Sequence, residues 1–232
     1  MALRIKKMNI KRYPLGCSNI DRLLGGGFEA GTVTQIYGEA GSGKTNISLQ
    51  LTIECVRSGK KVIFIDTEGI SIERFNQIAG DDAELISRDI IIFEPMSFDQ
   101  QYSIIREIDR MVEGNVGLVI LDSATLFYRY ELEDERSISL KRELAHQVAH
   151  LLGLARRHDI AVVITNQVYT DLDKNELHPV GGTMLAHLSK VIIHLEKLDY
   201  GKRRAVIRKH RSMPEGSSCE FLLTGEGVKN PD

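Results

Sequence analysis

The chain has 232 residues, of which 42% are hydrophobic and 27% charged, a composition typical of a globular protein whose length suits one α/β domain. The formal net charge of −2 neither requires nor excludes a nucleic-acid partner, so such binding would need a local basic patch. Three widely separated cysteines without a C-x-x-C pair argue against structural zinc and a disulfide framework. Because there is no apolar run near the roughly 20 residues of a membrane span and no apolar core of a secretory signal, we expect a cytoplasmic protein.

Apolar runs alternate with helical patterns over the first two thirds of the chain. Ser18 is expected to cap a short helix that ends at the glycines 25–27. The elements predicted after it are strand 32–37, helix 43–57, strand 61–66, helix 71–79, strand 90–93, a helix capped by Ser97 that runs to 112, strand 117–122, helix 138–158 and strand 160–165. Continuous apolar runs are typical of parallel strands covered on both faces, so the fold class is α/β, with a mostly parallel central sheet flanked by helices.

The remaining segments are less regular. Residues 1–12 are basic and are expected to be disordered or to add an edge strand. Polar loops are predicted at 128–137 and 169–182, and residues 225–232 are expected to be a frayed end. The late strands are expected to extend the sheet through antiparallel pairs, at 191–195, 204–209 and 219–223.

A phosphate-binding motif lies between the strand at 32–37 and the helix after it. Residues 38–45 read GEAGSGKT, which matches G-x-x-x-x-G-K-T, and the strand–helix context favours a site over a Gly-rich turn that binds nothing. The glycines would let backbone N–H groups face phosphate oxygens, Lys44 would reach the β- and γ-phosphates, and Thr45 would ligate Mg²⁺. ATP and Mg²⁺ are therefore the expected ligands. The predicted nucleotide-binding residues are Gly38, Glu39, Ala40, Gly41, Ser42, Gly43, Lys44 and Thr45.

Polar residues follow three predicted strands at the edge where parallel sheets bind ligands. Asp122 follows an apolar run and is interpreted as a Walker B carboxylate for Mg²⁺ rather than a simple turn residue. Glu68 is a candidate to polarise the attacking water, and an acidic turn is the alternative. Gln167 is a candidate γ-phosphate sensor that would move the loop behind it, and a polar strand end explains it equally well on local sequence.

The phosphate loop and these strand ends together resemble the RecA-type recombinases, most closely the archaeal and eukaryotic branch and, within it, the archaeal RadB family. The matching segments read LGCSNIDRLLGGGFEAGTVTQIYGEAGSGKT (15–45), VIFIDTEG (62–69), LVILDSATLFYR (118–129), AVVITNQV (161–168) and PVGGTMLAH (179–187). The resemblance implies a RecA-like P-loop ATPase domain over 15–232, after a short basic arm over 1–14. It implies catalytic roles for Lys44, Glu68 and Gln167, and a relay of nucleotide state across a subunit interface by His187. A satisfied helix histidine is the alternative for His187.

The resemblance also implies an ATP-binding protein of DNA repair and homologous recombination. It implies DNA binding, weak Mg²⁺-dependent ATP hydrolysis, little or no strand exchange, and a regulatory or mediator role in recombination and branched-DNA processing. The implied partners are single-stranded or branched DNA, the main recombinase and a junction-processing nuclease. Neither the helical N-terminal domain of full recombinases nor an aromatic-x-x-Ala tether precedes Leu15, so we expect a homo-oligomer to stop short of a stable filament.

The candidate DNA loops are acidic, which keeps other functions open. The first loop, 128–136, has four acidic residues and two arginines, and the second has three acidic residues and Lys174. Such loops would repel a phosphate backbone unless their rings stack on bases, so Tyr128 and Arg129 are the candidates there. A RecA-like switch ATPase that controls protein assembly without DNA is the first alternative. A module in which ATP is structural and never hydrolysed is the second.

Six cations between 202 and 211 form the strongest basic patch, on a predicted β-hairpin arm. The patch has three interpretations: a DNA contact, a cation supplied to the ATP site of a neighbouring subunit as in related hexameric ATPases, or a solvated strand face. The candidate residues are Arg203, Arg204, Lys209 and Arg211.

Overall fold

A computed structural model describes residues 10–112, 114–132, 137–171 and 176–231 of the protein. The strands are β1 (Arg12–Tyr13), β2 (Phe28–Glu29), β3 (Thr32–Gly38), β4 (Lys61–Asp66), β5 (Ile90–Phe93), β6 (Val116–Asp122), β7 (Ala161–Asn166), β8 (Val168–Asp171), β9 (Glu176–Pro179), β10 (Val191–Lys197), β11 (Lys202–Lys209), β12 (Ser218–Thr224) and β13 (Gly227–Lys229). The helices are α1 (Ser18–Leu23), α2 (Lys44–Arg57), α3 (Ile72–Ala79), α4 (Ala83–Ser87), α5 (Phe98–Met111), α6 (Leu126–Glu131), α7 (Ser137–His158) and α8 (Gly182–Leu188).

The main sheet of the described residues has the strand order β13-β12-β11-β10-β3-β7-β6-β4-β5. Neighbouring strands from β10 to β5 are parallel, whereas β11, β12 and β13 are added antiparallel. This arrangement confirms the predicted sheet. Because parallel strands end at one edge, the C-terminal ends of β4, β6 and β7 meet beside the loop that follows β3.

The sheet separates two apolar layers, since successive residues of a strand face opposite sides. Phe64 packs in the layer that contains Leu49 of α2, and Ile63 packs in the layer that contains Ile105 of α5 and Val148 of α7. All of these side chains are buried. The strand ends that carry the candidate site are therefore supported from both faces. In the part of the chain that the structure describes, no helix is both long enough and apolar enough to cross a membrane.

Both predicted polar loops contain regular structure. The loop predicted from residue 128 starts inside α6, where Tyr128 packs on Phe98 with ring centroids 6.2 Å apart. The loop predicted at 169–182 contains the antiparallel hairpin β8–β9 and leads to α8 after Gly181, whose φ is 91°. The first prediction is wrong because Tyr128 of α6 packs on the distant Phe98, and the second because β8 and β9 pair with each other. The acidic tips at 133–136 and 172–175 lie outside the described residues.

Two predictions, about the cap of α1 and the end of the chain, are also wrong. Ser18 is the first residue of α1, and Cys17 takes the N-cap position. The predicted frayed end contains β13, whose Val228 is fully buried. Its carbonyl accepts one hydrogen bond from the Gln50 side chain, and its N–H donates one to it. Strand β11 pairs antiparallel with β10 on one side and β12 on the other, so the predicted β-hairpin forms and lies within the main sheet. Residues 1–9 lie outside the described residues, and the domain boundary near Leu15 stays a prediction.

Candidate nucleotide site

The phosphate loop joins β3 to α2 through glycines that close contacts require. A Cβ at Gly38 would collide with the carbonyl oxygen of Leu195, and Gly43 precedes α2 with a left-handed φ of 106°. A Cβ at Gly43 would also come within 3.2 Å of the Leu223 side chain. The loop is thus shaped by its own backbone and by packing against β10 and β12, two partners that the sequence did not indicate.

Lys44 turns its ammonium group toward the loop carbonyls. Its Nζ donates hydrogen bonds to the carbonyl oxygens of Gly38 (2.8 Å) and Glu39 (3.1 Å), and only 9% of the residue is exposed. Burial lowers the pKa of Lys44, while the nearby carboxylates of Glu68 and Asp122 oppose that shift. The cation is therefore held at the loop together with the two predicted acidic residues.

Asp122 lies buried at the end of β6 with two hydroxyl partners. The hydroxyl of Thr165 donates to its Oδ1, and the hydroxyl of Thr45 is also hydrogen-bonded to the carboxylate. Burial raises the pKa of Asp122 to about 6, although both hydrogen bonds favour the ionised form. The Walker B candidate and the Mg²⁺ candidate Thr45 are thus in direct contact.

Glu68 is carried by a turn that Asp66 fixes. The buried Asp66 accepts hydrogen bonds from the backbone N–H groups of Glu68 (3.1 Å), Gly69 (2.9 Å) and Ile70 (2.6 Å). A carboxylate that accepts from successive N–H groups is a common turn device, and an Asp before the T-E-G segment was the signal for it. From the sequence, Asp66 was expected only as the last residue of a strand, so its role in this turn was not predicted.

Gln167 joins the candidate base to the first candidate DNA loop. Its Nε2 donates to Glu68 Oε1 at 2.9 Å, and its Oε1 accepts from Arg129 Nη1 at 2.7 Å. The three strand-end candidates and the phosphate loop therefore meet at one edge of the sheet, as predicted. The contact with Arg129 had no signal in the sequence, because 38 residues separate the two side chains.

A buried hydrogen-bond chain supports the end of β7, directly before Gln167. Thr125 Oγ1 donates to Asn166 Oδ1 at 2.7 Å, and Asn166 Nδ2 donates to the Val180 carbonyl at 2.6 Å. The N–H of Val180 in turn donates to the Gln167 carbonyl at 3.0 Å. This chain ties the end of β7 to the start of α6 and to the segment before α8. No signal in the sequence pointed to these roles of Thr125 and Asn166.

The aromatic residues near Arg129 differ in exposure. Tyr128 is 1% exposed, and burial raises the pKa of its hydroxyl, whereas Tyr130 is 72% and Tyr169 is 51% exposed. A cleft of about 460 Å³ opens between α6, the β8–β9 hairpin and α8. The side chains and backbone that line it belong to Tyr128, Arg129, Leu132, Lys141, Tyr169, Val180, Gly181, Gly182, Thr183 and Met184. The stacking candidate from the sequence is therefore buried, and two tyrosines that it did not single out are exposed.

The interface candidate and the end of the basic strand lie together. His187 is exposed in the last turn of α8, a position open to a partner subunit, and its relay role stays a prediction. Lys209 Nζ donates to the carbonyl of Ala186 at 2.6 Å. Arg211 pairs with Glu29 at 3.0 Å. Each of these two cations thus has a partner within its own chain.

The two arginines in the middle of the basic patch face opposite sides of β11. Arg204 pairs with Glu220 at 3.2 Å and with Glu196 at 3.5 Å. Arg203 points to the phosphate loop, where its Nε and Nη2 donate to the Gly41 carbonyl at 3.2 and 3.0 Å. The patch therefore does not form one continuous positive surface.

The donor set of the loop fits a phosphorylated ligand with Mg²⁺. Ser42 Oγ is buried and has no hydrogen-bond partner among the described residues. Since buried polar atoms are normally hydrogen-bonded, a phosphate oxygen bound in the loop would supply the missing partner. Lys44 is already directed to the same loop. No cluster of three or more His, Cys, Asp or Glu side chains in the described ranges could hold a metal alone, so Mg²⁺ would depend on Thr45, Asp122 and the phosphates.

Known proteins of one family are similar to this chain. The Rad51 family model matches residues 6–231. The DNA repair and recombination protein RadB of Methanococcoides burtonii is 61% identical over 214 residues, which cover 92% of this chain and 95% of that protein. RadB of Archaeoglobus fulgidus is 48% identical over 218 residues, 93% and 97% of the two chains. The chain belongs to the RadB branch of the Rad51 family. A solved structure of the RadB recombinase superposes with a TM-score of 0.83 at 37% identity, over 95% of this chain and all of that one, which confirms the RecA-like fold of this RadB-type chain.

Proposed function

We propose that this RadB-family chain is an ATP- and Mg²⁺-binding protein of DNA repair and homologous recombination, with weak ATP hydrolysis. The observation that carries the proposal is the meeting of Lys44, Asp122 and Glu68 beside the phosphate loop, with Gln167 bonded to Glu68. The names of the RadB relatives support the part that concerns repair and recombination. A regulatory or mediator role beside a main recombinase follows from the same family resemblance.

The residues of the site would divide the work of nucleotide binding and hydrolysis. Lys44 would give up its bonds to the loop carbonyls and donate to phosphate oxygens instead. Thr45 and Asp122 would hold Mg²⁺, which when bound would neutralise charge on those oxygens. Glu68 would orient and deprotonate water, while Gln167 and Asp66 would hold Glu68 in place.

Slow turnover is expected because the base is exposed in the single chain. Glu68 lies at an open edge, where bulk water weakens the electrostatic interactions that a closed site would strengthen. A second subunit that covers this edge would exclude water. We therefore propose a homo-oligomer as the more active form, without a stable filament.

Single-stranded or branched DNA is the proposed nucleic-acid partner. The cleft between α6, the β8–β9 hairpin and α8 combines the cations Arg129 and Lys141 with Tyr169. Exposed Tyr130 lies next to Arg129 in the chain. Cations that track the backbone and rings that stack on bases are the two elements of single-strand binding. The chemistry thus favours the α6 side of the molecule over the partly paired β11.

Three measurements on the purified chain test the proposal. Fluorescent ATP should bind in the presence of Mg²⁺ and fail to bind a Lys44→Ala variant. Phosphate release should exceed that of a Glu68→Gln variant. Fluorescence anisotropy with a single-stranded oligonucleotide, at two salt concentrations with and without Mg-ATP, should show binding that weakens as salt rises. Absence of DNA binding in every nucleotide state would reject the repair function.

A second function is supported by the ion pairs of β11. Because Arg204 and Arg211 are paired with carboxylates of their own chain, less free positive charge remains for a phosphate backbone. A switch ATPase that controls protein assembly without DNA is therefore the alternative. Light scattering with and without ATP, beside the oligonucleotide-binding assay, would distinguish the two functions. The alternative requires that ATP changes the mass of the protein assembly and that no oligonucleotide binds.

A further inference from the structure

The apex of the phosphate loop is held from outside the loop by one side chain of β11. Arg203 donates from both Nε (3.2 Å) and Nη2 (3.0 Å) to the carbonyl of Gly41, and from Nη1 to the carbonyl of Lys202 at 2.8 Å. Gly41 has a left-handed φ of 73°, which sets the direction of its peptide groups. A guanidinium that engages one carbonyl with two donors fixes that carbonyl more firmly than a single donor would.

The direction of this carbonyl matters for the loop's chemistry. A phosphate loop works because its N–H groups face the ligand, so its carbonyls must point elsewhere. A carbonyl that turned inward would repel phosphate oxygens. A cation that holds the Gly41 carbonyl on the outer side therefore favours the binding-competent loop before any ligand arrives.

The position of Arg203 is itself fixed by the sheet. It lies opposite Phe221 of β12, which is fully buried, and opposite Lys197 of β10. Lys197 is a second cation near the same apex, since its Nζ lies 4.0 Å from the position that a Cβ of residue 41 would occupy. The end of β10 and the antiparallel strand β11 thus place two cations, Lys197 and Arg203, beside the apex of the loop.

We propose that Arg203 acts in cis as a positioning residue for the phosphate loop, rather than as a contact to DNA or to a neighbouring subunit. The proposal rests on nucleotide binding at this loop, as proposed above. Arg203 would touch neither the phosphates nor the reacting water. Its effect would be exerted through the conformation of Gly41, and the C-terminal strands would thereby control nucleotide affinity.

Arg204 provides a matched control, since it carries the same charge one residue later on the opposite face of β11, paired with Glu196 and Glu220. Binding of fluorescent Mg-ADP should be about tenfold weaker in Arg203→Ala and unchanged within twofold in Arg204→Ala. Arg203→Lys keeps the positive charge but lacks the planar guanidinium that donates from two nitrogens at once, so this variant should bind Mg-ADP about threefold more weakly than the wild type. Equal affinity of Arg203→Lys and the wild type, with Arg203→Ala weakened, would indicate a charge effect and overturn the positioning role.

Hydrogen–deuterium exchange of the nucleotide-free protein gives a second readout. A peptide that spans Gly38–Thr45 should exchange faster in Arg203→Ala than in the wild type or Arg204→Ala, while thermal unfolding midpoints stay the same. Unchanged exchange in that peptide, or equal ADP affinity in wild type and Arg203→Ala, would overturn the inference. If the wild type itself bound no nucleotide, the proposed function would fail, and the exchange data would still decide whether Arg203 orders the loop.

Discussion

Gln167, directly after β7, donates a hydrogen bond to Glu68 beyond the end of β4, with 2.9 Å between Nε2 and Oε1. Strand β6 lies between these two strands, so the bond bridges the strand that carries Asp122. A guanidinium can only donate hydrogen bonds, so the atom of the Gln167 amide that contacts Arg129 is the oxygen, Oε1. Arg129 therefore sets the orientation in which Gln167 presents its N–H to the candidate base.

The first prediction concerns the anchor of this amide. In Arg129→Ala, Gln167 can rotate away from Glu68, so the kcat of ATP hydrolysis should fall about threefold to tenfold. Nucleotide affinity should not change, because the phosphate loop remains intact. Steady-state phosphate release and fluorescent-nucleotide binding measure the two quantities. Arg142→Ala, which removes an exposed cation from α7, is the control and should leave both unchanged. An unaltered kcat in Arg129→Ala would exclude the anchoring role.

The second prediction uses the buried charge of Asp122. Burial raises its pKa to about 6, whereas an Asp in an unfolded chain titrates near pH 4. The folded state therefore binds more protons between these values, and stability is lost as the pH rises from about 4 to about 6. Above that window ionised Asp122 costs about 3 kcal/mol, so Asp122→Asn should stabilise the ligand-free protein by about 2 kcal/mol at pH 7.5.

Urea unfolding at pH 7.5 and pH 4.5 checks this prediction. The stability gain of Asp122→Asn should shrink at the lower pH, where the wild-type carboxyl is protonated in the folded state. Asp81→Asn, at an exposed position, should give no gain at either pH. A variant that is less stable than the wild type at pH 7.5 would show that the ionised carboxylate is stabilised by its threonine partners.

The sheet and the edge that carries the candidate site could be predicted because their signals are local. The apolar run before Asp122 and the glycine spacing before Lys44 reflect burial and backbone conformation within a few residues. The bond between Gln167 and Arg129 could not be predicted, since it depends on how α6 is placed relative to the end of β7. The same holds for Arg203, whose neighbours in sequence give no indication that it reaches Gly41.

The composition of the last residues led to a wrong prediction for the end of the chain. Its last residues are polar and glycine-rich, which is typical of a disordered end, yet Val228 is fully buried. The order comes from Gln50 in α2, whose Nε2 donates to the carbonyls of Leu15 and Val228 and whose Oε1 accepts from the N–H of Val228. One side chain thus joins the segment before α1, the phosphate-loop helix and strand β13.

The third prediction follows from that connection. Gln50→Ala leaves two carbonyls and one N–H without their partner in a buried position, and each such loss costs about 1–3 kcal/mol. We expect the free energy of unfolding to fall by about 3 kcal/mol in urea denaturation. Gln77→Ala, at an exposed position of α3, should change it by less than about 0.5 kcal/mol. Equal stabilities of the two variants would show that β13 is held by apolar packing alone.

The last prediction separates the two tyrosines that flank Arg129. Tyr130 is exposed, and stacking of a base on an exposed ring contributes about 1–3 kcal/mol, so Tyr130→Ala should weaken single-stranded DNA binding at least fivefold without loss of stability. Tyr128 packs in the core on Phe98, so Tyr128→Ala should instead reduce the free energy of unfolding by about 3–5 kcal/mol. Anisotropy with an oligonucleotide and urea denaturation, both applied to both variants, distinguish the roles. If Tyr130→Ala bound DNA like the wild type, the DNA surface would lie away from α6. A stable Tyr128→Ala variant with impaired DNA binding would instead support Tyr128 as the ring that stacks on bases.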